Sequence, residues 1–584
     1  MTYQRNGILL GKTFREYLFP TIISNMSILL ASFVDGIIVS KLINDDAFSA
    51  INLGEPVVLF MQALFFMFGI GGTICISIAK GERDEHKANA VFTLSFIASI
   101  VVSLIVIIVG ILLIDPITHV LCSDSTLYDY VRSYVLFNII GAVFLIVVPY
   151  MVFIIRTDGM PKLSTSILLV SNLVNLLMDF VFIGLFKMDT SGAALATVTG
   201  YIVGFGIELY YLRLSKKRTL KFIRLNKSDL QYLGELLTGG IASVVNTVLL
   251  FVKAILLNKI VLGATGPDGM AIFSVCNFSV TFISMFVSGG CDTMTPIVAQ
   301  LYGERDYKGI DIVLRKTFVF VGASCVAIIA AILLFPQLLL QLFSVTNSTR
   351  LAMGIPAVRI FALSLIGMGI CFVMMNYLQA TKQKAISVTI TFLRGLIITV
   401  PLAYLLSGKF GLNGVSMAFV LSEALTVVIC FLICFIVSRV SKDKYSGVLL
   451  HERQTENSAL FDASLQPEAK QAAGISEKII AFCGENGVAG KPANYAGVLA
   501  EEIVEHIRHY NLNKKQPQID LICRVTDKEV ILSVRDNGEA FNATKVDEEN
   551  MFSNLKMIYS LADSTEYTRA LGLNNLLVKL GTTP

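Results

Sequence analysis

Asn172, Asn175 and Asp179 stand three and four residues apart in the run Asn172-Leu-Val-Asn175-Leu-Leu-Met-Asp179. That spacing lays two amides and a carboxylate along one stripe of a helix whose other residues are apolar. An Asp near the middle of a bilayer costs about 2.5–3.5 kcal/mol on insertion scales, so it marks an ion or substrate pathway. The chemistry available to the stripe is hard-oxygen coordination of a small cation, or the capture and release of a proton.

The elements that hold such a stripe must be membrane helices. The 584 residues are 54% hydrophobic and only 15% charged, against roughly 25% charged in a soluble domain. Twelve apolar segments of about 20 residues, the first near 17–40 and the last near 412–437, are long enough to span a bilayer. Lys and Arg gather in every second loop and at both ends, as at Lys80/Arg83/Lys87, Arg156/Lys162, Arg213 to Lys227 and Lys382/Lys384, whereas 44–55 and 115–129 are poor in them. The positive-inside rule then predicts a multi-pass protein of the cytoplasmic (inner) membrane with both termini in the cytoplasm. No cleavable signal peptide is expected, because the first apolar run starts late and is long enough to span. The ten cysteines are scattered without a Cys-x-x-Cys pair and read as packing residues.

Gly81-Glu82-Arg83-Asp84 recurs as Gly303-Glu304-Arg305-Asp306, 222 positions later, and the same offset carries Lys162 to Lys384 and Gly192 to Gly414. A constant offset at three places predicts a duplication. Six spans per copy, an even number, leave the copies parallel, related by an axis along the membrane normal with a cavity between them. The expected division is a six-helix lobe at 1–218, a second at 219–440, a linker at 441–467 and a soluble α+β domain at 468–584.

Val34-Asp35-Gly36, Gly81-Glu82-Arg83, Asn175-x-x-x-Asp179 and Gly192-Ala-Ala-Leu-Ala-Thr197, with Arg394, Pro401 and Gly411-Leu-Asn-Gly414 in the second copy, together resemble the multidrug and toxic compound extrusion (MATE) family over the first 440 or so residues. The resemblance implies a cation site in the N-terminal lobe at Asp35, Asn175, Asp179 and Thr197. It also implies Na⁺- or H⁺-coupled efflux of small, drug-like molecules by a transporter that is no enzyme and needs no organic cofactor. Either ion suits the residues, since Na⁺ prefers carboxylate, amide and hydroxyl oxygens, and two acids close together in low dielectric share a proton. Helix-to-helix hydrogen bonding is the competing reading of the two acids. Lys253, Asp292, Arg394 and Glu423 are further ionisable residues in predicted spans. Asn172, Lys253 and Arg394 are expected at the substrate cavity, with structural pairing as the alternative for the two cations and a Lys253–Asp292 pair as one form of it. The position offset from Asp35 is Leu257, which favours coupling through the N-terminal lobe alone.

Beyond Val440 the composition turns polar. Helical periodicity covers Glu468 to Asn486 and Asn494 to Tyr510, and alternating segments at Ile519 to Val525 and Glu529 to Arg535 read as a hairpin. Ala500-Glu501-Glu502-Ile-Val-Glu505-His506 and Asp536-Asn537-Gly538-Glu-Ala-Phe541-Asn542 resemble the N-box and G1-box of the histidine-kinase-type ATPase fold, closest to the anti-sigma-factor kinases. The resemblance assigns Asp536 and Gly538 to adenine recognition. Glu505 and His506 stand where the Mg²⁺-orienting Asn belongs, and Phe552-Ser553-Asn554-Leu555 has no glycine to cradle phosphates. Asn511 and Gly572 do not restore these functions. ATP binding is therefore expected to be weak or lost, with neither ATPase nor kinase activity. His506 and His509 have a metal-compatible spacing on a helix that reads as a solvated charged face, and no metal is expected. The expected partners are a small-molecule substrate, membrane lipid and a cytoplasmic protein that binds the tail, and no nucleic acid. The rival functional readings are a membrane-tethered anti-sigma-like switch and a flippase of lipid-linked substrates.

Overall fold

The structure, a computed structural model, describes residues 5–582 apart from 44, 123, 216–217, 344, 346, 454–457, 467, 489, 512–516 and 541–560. The first repeat contains α1 (Ile8–Leu42), α2 (Asp45–Gly81), α3 (Glu85–Leu112), α4 (Ile114–Leu121), α5 (Tyr128–Ile140), α6 (Ala142–Thr157), α7 (Pro161–Asp179) and α8 (Thr190–Leu214). The second contains α9 (Gln231–Gly303), α10 (Tyr307–Leu334), α11 (Pro336–Leu342), α12 (Ser348–Ala362), α13 (Ser364–Ala380), α14 (Lys384–Phe392) and α15 (Thr399–Val440). Among the described residues nine helical stretches are long and apolar enough to cross a membrane, and α5 with α6, bent by 55°, reaches that length as a pair. Two of the nine fold back on themselves: α9 at Gly266 (φ 66°), followed by Pro267, and α15 at Gly411 (φ 55°). Glycine takes this left-handed backbone without a Cβ clash, and proline suits the first turn of the helix that follows. Large apolar side chains such as Ile108, Val319, Val326 and Leu432 are exposed on the outer helix surfaces, as lipid-facing residues must be.

Two expectations change here. Residues 44–55, read as a loop, are helical from Asp45 onward, which places Glu55 on α2. The expected linker 441–467 contains a short hairpin, β1 (Tyr445–Ser446) with β2 (His451–Glu452), and a full strand, β3 (Ala459–Leu465). Its apolar residues Phe461, Ala463 and Leu465 alternate with Leu460, Asp462 and Ser464, so average polarity conceals a strand period of two.

The repeat is visible as local symmetry. Both Gly-Glu-Arg-Asp loops put their Arg in the left-handed region, Arg83 at φ 62° and Arg305 at φ 57°. Both then use the Asp side chain to cap the next helix: Asp84 accepts from Lys87 N at 2.8 Å, and Asp306 from Gly309 N at 2.9 Å. A Cβ on Gly81 would fall 2.2 Å from the Gln300 carbonyl oxygen, and one on Gly303 would fall 2.4 Å from that of Ile78. Ile78 and Gln300 are themselves one repeat apart, so the contact maps onto itself and the twofold axis passes between the loops. Gly240 meets Met67 O and Gly71 meets Leu236 O in the same way. The two lobes are thus closed against each other at the end that carries the tail.

The tail is one antiparallel sheet of order β3, β4 (Ile519–Val525), β5 (Glu529–Asp536), β7 (Leu573–Gly581), β6 (Ser564–Ala570). Helices α16 (Ala469–Glu485) and α17 (Lys491–Tyr510) cover one face through Ile475, Ile479, Leu499 and Ile503, which meet Leu521, Cys523, Val530 and Leu532.

Gly81→Val is expected to lower stability by about 1–3 kcal/mol, the usual cost of overpacking, because the backbone carbonyl it meets cannot move aside. Gly322→Val, into open space, is expected to be neutral. Thermal unfolding of the purified protein checks the pair, and equal transitions would contradict the close contact.

Candidate functional site

Helices α1, α7 and α8 converge where the stripe begins. Gly200 lets α8 approach α7, since a Cβ there would lie 2.4 Å from Ser171 O. Asp179 ends α7, just before a wide π turn at Phe180–Leu185, and is fully buried; such wide turns recur at functional sites. One turn earlier the Asn175 side-chain amide donates to Asp179 Oδ2 at 3.4 Å and to Thr197 Oγ1 at 3.3 Å. The Thr197 hydroxyl in turn donates to Ala193 O at 3.1 Å. Asp35 reaches in from α1, with its carboxyl within hydrogen-bonding reach of Asp179. Among the described residues, Oδ1 of Asp35 and Oδ1 of Asp179 are buried without a hydrogen-bond partner. Buried polar atoms are nearly always satisfied, and a proton or a small cation between the two acids would satisfy both.

The site opens on a cavity of about 830 Å³ lined by both lobes. Asp35, Asn172, Asn175 and Thr197 line it, and Asn172 donates to Ser27 Oγ at 2.7 Å. From the second lobe come Asn246, Thr247, Asn376 and Gln379. Three charged lining residues were not assigned to the cavity from sequence: Glu55, Arg156 and Asp292. Glu55 was hidden by the misplaced start of α2, and Arg156 by its place in a basic cluster. Arg156 sits over the Phe153 ring at 5.5 Å, and among the described residues its Nε and Nη1 have no hydrogen-bond partner. Close by in sequence, Asp158 is used structurally: Lys80 Nζ pairs with it at 2.7 Å, and Tyr211 donates to the same carboxylate at 2.9 Å.

Lys253 and Arg394 are not among the described residues that line the cavity. Arg394 Nε donates to both Glu423 oxygens, at 2.8 and 2.9 Å, while its guanidinium covers the Phe372 ring at 4.4 Å. Lys253 lies 4.6 Å over the Phe419 ring, on the same side of the lobe. Among the described residues no Lys253–Asp292 pair is formed, since Lys253 neighbours Arg394 and Glu423 while Asp292 neighbours Asn25 and Arg156. Of the two readings weighed for Arg394, the structure favours pairing.

In the tail, the Asp536–Gly538 turn is closed by protein groups. Asp536 Oδ1 accepts from Gly538 N at 2.7 Å and from Asn574 Nδ2 at 3.0 Å, while Asn511 accepts from Glu539 N at 3.2 Å. Burial pushes the Asp536 carboxyl up to about 6 against these hydrogen bonds. Phe541, Asn542 and the Phe552-Ser553-Asn554-Leu555 segment lie outside the described residues. His506 is buried enough to be pushed down to about 4, so the helix face it occupies is less solvated than its sequence suggested. Among the described residues no group of three or more His, Cys, Asp or Glu could hold a metal ion.

The sequence matches the MatE family over residues 20–181 and 242–405. The chain belongs to the MATE family. It is thus a secondary transporter rather than an enzyme. The multidrug export protein MepA of Staphylococcus saprophyticus subsp. saprophyticus is 26% identical over 402 residues, 68% of this chain and 87% of that protein. MepA of Staphylococcus haemolyticus is 25% identical over 441 residues, 74% of this chain and 96% of that protein. Among solved structures, an outward-facing conformation of a multidrug resistance MATE family transporter of the MOP superfamily aligns with a TM-score of 0.70 at 22% identity, covering 74% of this chain and 96% of that one. A MATE in the straight conformation aligns with a TM-score of 0.69 at 22% identity, covering 74% and 97%. These structures share the fold. Three quarters of this chain accounts for nearly all of the second MepA and of both solved chains.

Arg394→Ala is expected to cost about 3–5 kcal/mol, because it leaves Glu423 buried and unpaired. Arg394→Leu combined with Glu423→Leu should recover much of that loss. Unfolding midpoints check the series. Equal midpoints for Arg394→Ala and wild type would contradict the buried pair.

Proposed function

We propose that this MATE-family protein exports small organic, drug-like compounds across the cytoplasmic membrane, driven by Na⁺ or H⁺ entering at Asp35, Asn175, Asp179 and Thr197. The observation that carries the reading is the pair of buried carboxyls, each with one oxygen left without a protein partner, beside an amide and a hydroxyl. An apolar bundle does not retain two such acids for packing alone. The names of the staphylococcal relatives support multidrug compounds as the substrate class. The cavity supports it too, since beside its charged residues it offers amides, hydroxyls and aromatic rings from both lobes.

Twelve crossings in two six-span lobes, with the tail and both termini in the cytoplasm, form the topology of this proposal. Alternating access follows from it. Filling the Asp35–Asp179 site removes buried charge from the contact between α1 and α7, so α1 repacks, the cavity shrinks on its substrate side, and the lobes rock about the axis between the Gly-Glu-Arg-Asp loops. The tail acts as a regulatory domain through what it touches, and Asp536 and Gly538 shape a turn in it rather than a catalytic nucleotide site.

The test uses proteoliposomes loaded with a fluorescent organic cation and placed under an imposed Na⁺ or H⁺ gradient. Wild type is expected to transport under one of the two gradients, while Asp35→Asn and Asp179→Asn fall to background although they purify as folded protein. Gradient-driven transport that survives in both variants would overturn the coupling assignment.

A further inference from the structure

Helices α16 and α17 cover only one face of the tail sheet. The other face carries Asp462 and Ser464 on β3, Asp520 on β4, and Ser533 and Arg535 on β5, by the strand alternation that points Leu532 and Val534 inward. The membrane part buries Asp520 and Arg535 and half-buries Asp462, Ser464 and Ser533.

The covering groups come from both lobes and from the segment ahead of α1. Arg535 pairs with Glu304, and its Nη1 lies 3.4 Å from Asp306 Oδ2, both in the second Gly-Glu-Arg-Asp loop. Arg5 forms a two-pronged pair with Asp306 at 2.7 and 2.8 Å and reaches Asp520 at 3.2 Å, so it bridges membrane part and sheet. These five side chains are between 1% and 7% exposed, which makes the contact a dry charge network and not a screened surface pairing. Burial alone would raise the Asp306 carboxyl, and Arg5 and Arg535 together hold it down to about 2. On the first lobe, Arg83 of the matching loop donates to Ser533 Oγ at 3.3 Å. The β6–β7 turn there presses Gly572 against Gly159 and buries Leu571 in the core of the membrane part. A single rigid sheet is therefore fastened to the equivalent loops of both lobes, across the axis where Gly81 and Gly303 bring those lobes together.

We propose that the tail is a gate clamp: its open sheet face locks the cytoplasmic ends of the two lobes in the closed arrangement, and that end opens only when the sheet releases one lobe. The proposal rests on the transporter reading for its purpose, but the geometry stands without it. Rocking that separates the two Gly-Glu-Arg-Asp loops must either tear Arg535 from Glu304 and Asp306 or lift Arg83 and Gly159 from the sheet. A buried charge network opposes the first, since each charge it frees would be left without its partner. The segment that supplies the clamp has almost no length left to match in the second MepA relative, 96% of which is covered by 74% of this chain, so the device is a property of this chain's added domain.

The test is conformational and needs no transported substrate. Spin labels at Glu85→Cys and Ala385→Cys, exposed positions on α3 and α14 in opposite lobes, report the separation of the cytoplasmic ends. The ten native cysteines are buried and leave the labels selective. The full-length chain is expected to give one short distance. Arg535→Ala on the sheet and, separately, Glu304→Ala on the lobe should each raise the ratio of long to short distance by about tenfold, within the usual range for coupled sites. The short distance unchanged in both variants would overturn the clamp. A shift with Arg535→Ala alone would overturn it too, because the effect would then arise inside the tail, where Arg535 also donates to Asn575. A protein that shows the shift yet moves no substrate would count against the transport reading and leave the clamp standing.

Discussion

Charged oxygen and nitrogen atoms held out of water set the terms for the whole molecule, because each must find a partner or impose a cost. The structure meets that demand in three ways. Arg394 with Glu423, and Lys80 with Asp158 and Tyr211, are closed sets inside single lobes, where they fix helix positions. Arg5, Arg535, Asp306, Asp520 and Glu304 form a closed set between domains, which fixes where the tail sits. Asp35 and Asp179 are one set left incomplete among the described residues, and two such acids beside an amide and a hydroxyl are what a mobile ion can enter and leave.

The symmetry gives these sets their leverage. Duplication placed two equivalent loops at one end of the lobes, and glycine at Gly81 and Gly303 lets the backbones meet there without side chains between them. A contact that maps onto itself is a natural pivot, since both lobes present the same surface to it. The proposed ion site lies in the first lobe, and Leu257 stands at the position offset from Asp35. On the proposed mechanism a change at Asp35 acts on one half of a symmetric frame and tilts it against the other. The tail spans the same frame from outside, touching the Gly-Glu-Arg-Asp loops of both lobes.

Much of this could be read from the residues. The apolar runs and the offset of 222 foretold paired helical lobes, and the spacing of Asn172, Asn175 and Asp179 predicted the stripe that the structure places beside the cavity. Asp35 and Thr197 could be assigned only through the family resemblance, since nothing local to either reveals that α1 and α8 meet α7. Glu55, Arg156 and Asp292 escaped because cavity lining depends on which way each helix turns, and a basic cluster conceals an arginine that points inward. Cavity role and structural pairing stayed open for Arg394 because its partner Glu423 is 29 residues away, beyond any helical period. β3 was lost to its polar alternation, and with it went the docked sheet face, since the residues that dock there look like an ordinary solvated surface until the covering loops are seen.

The central claim is that the Asp35–Asp179 pair holds the exchangeable charge. The most direct measurement is infrared difference spectroscopy of the lipid-reconstituted protein, following the protonated-carboxyl band as pH or Na⁺ is changed, in wild type, Asp35→Asn and Asp179→Asn. The account predicts a band that rises and falls with the ion in wild type and is lost from both variants. A band that responds identically in all three would contradict it, and would move the exchangeable charge to another acid of the cavity.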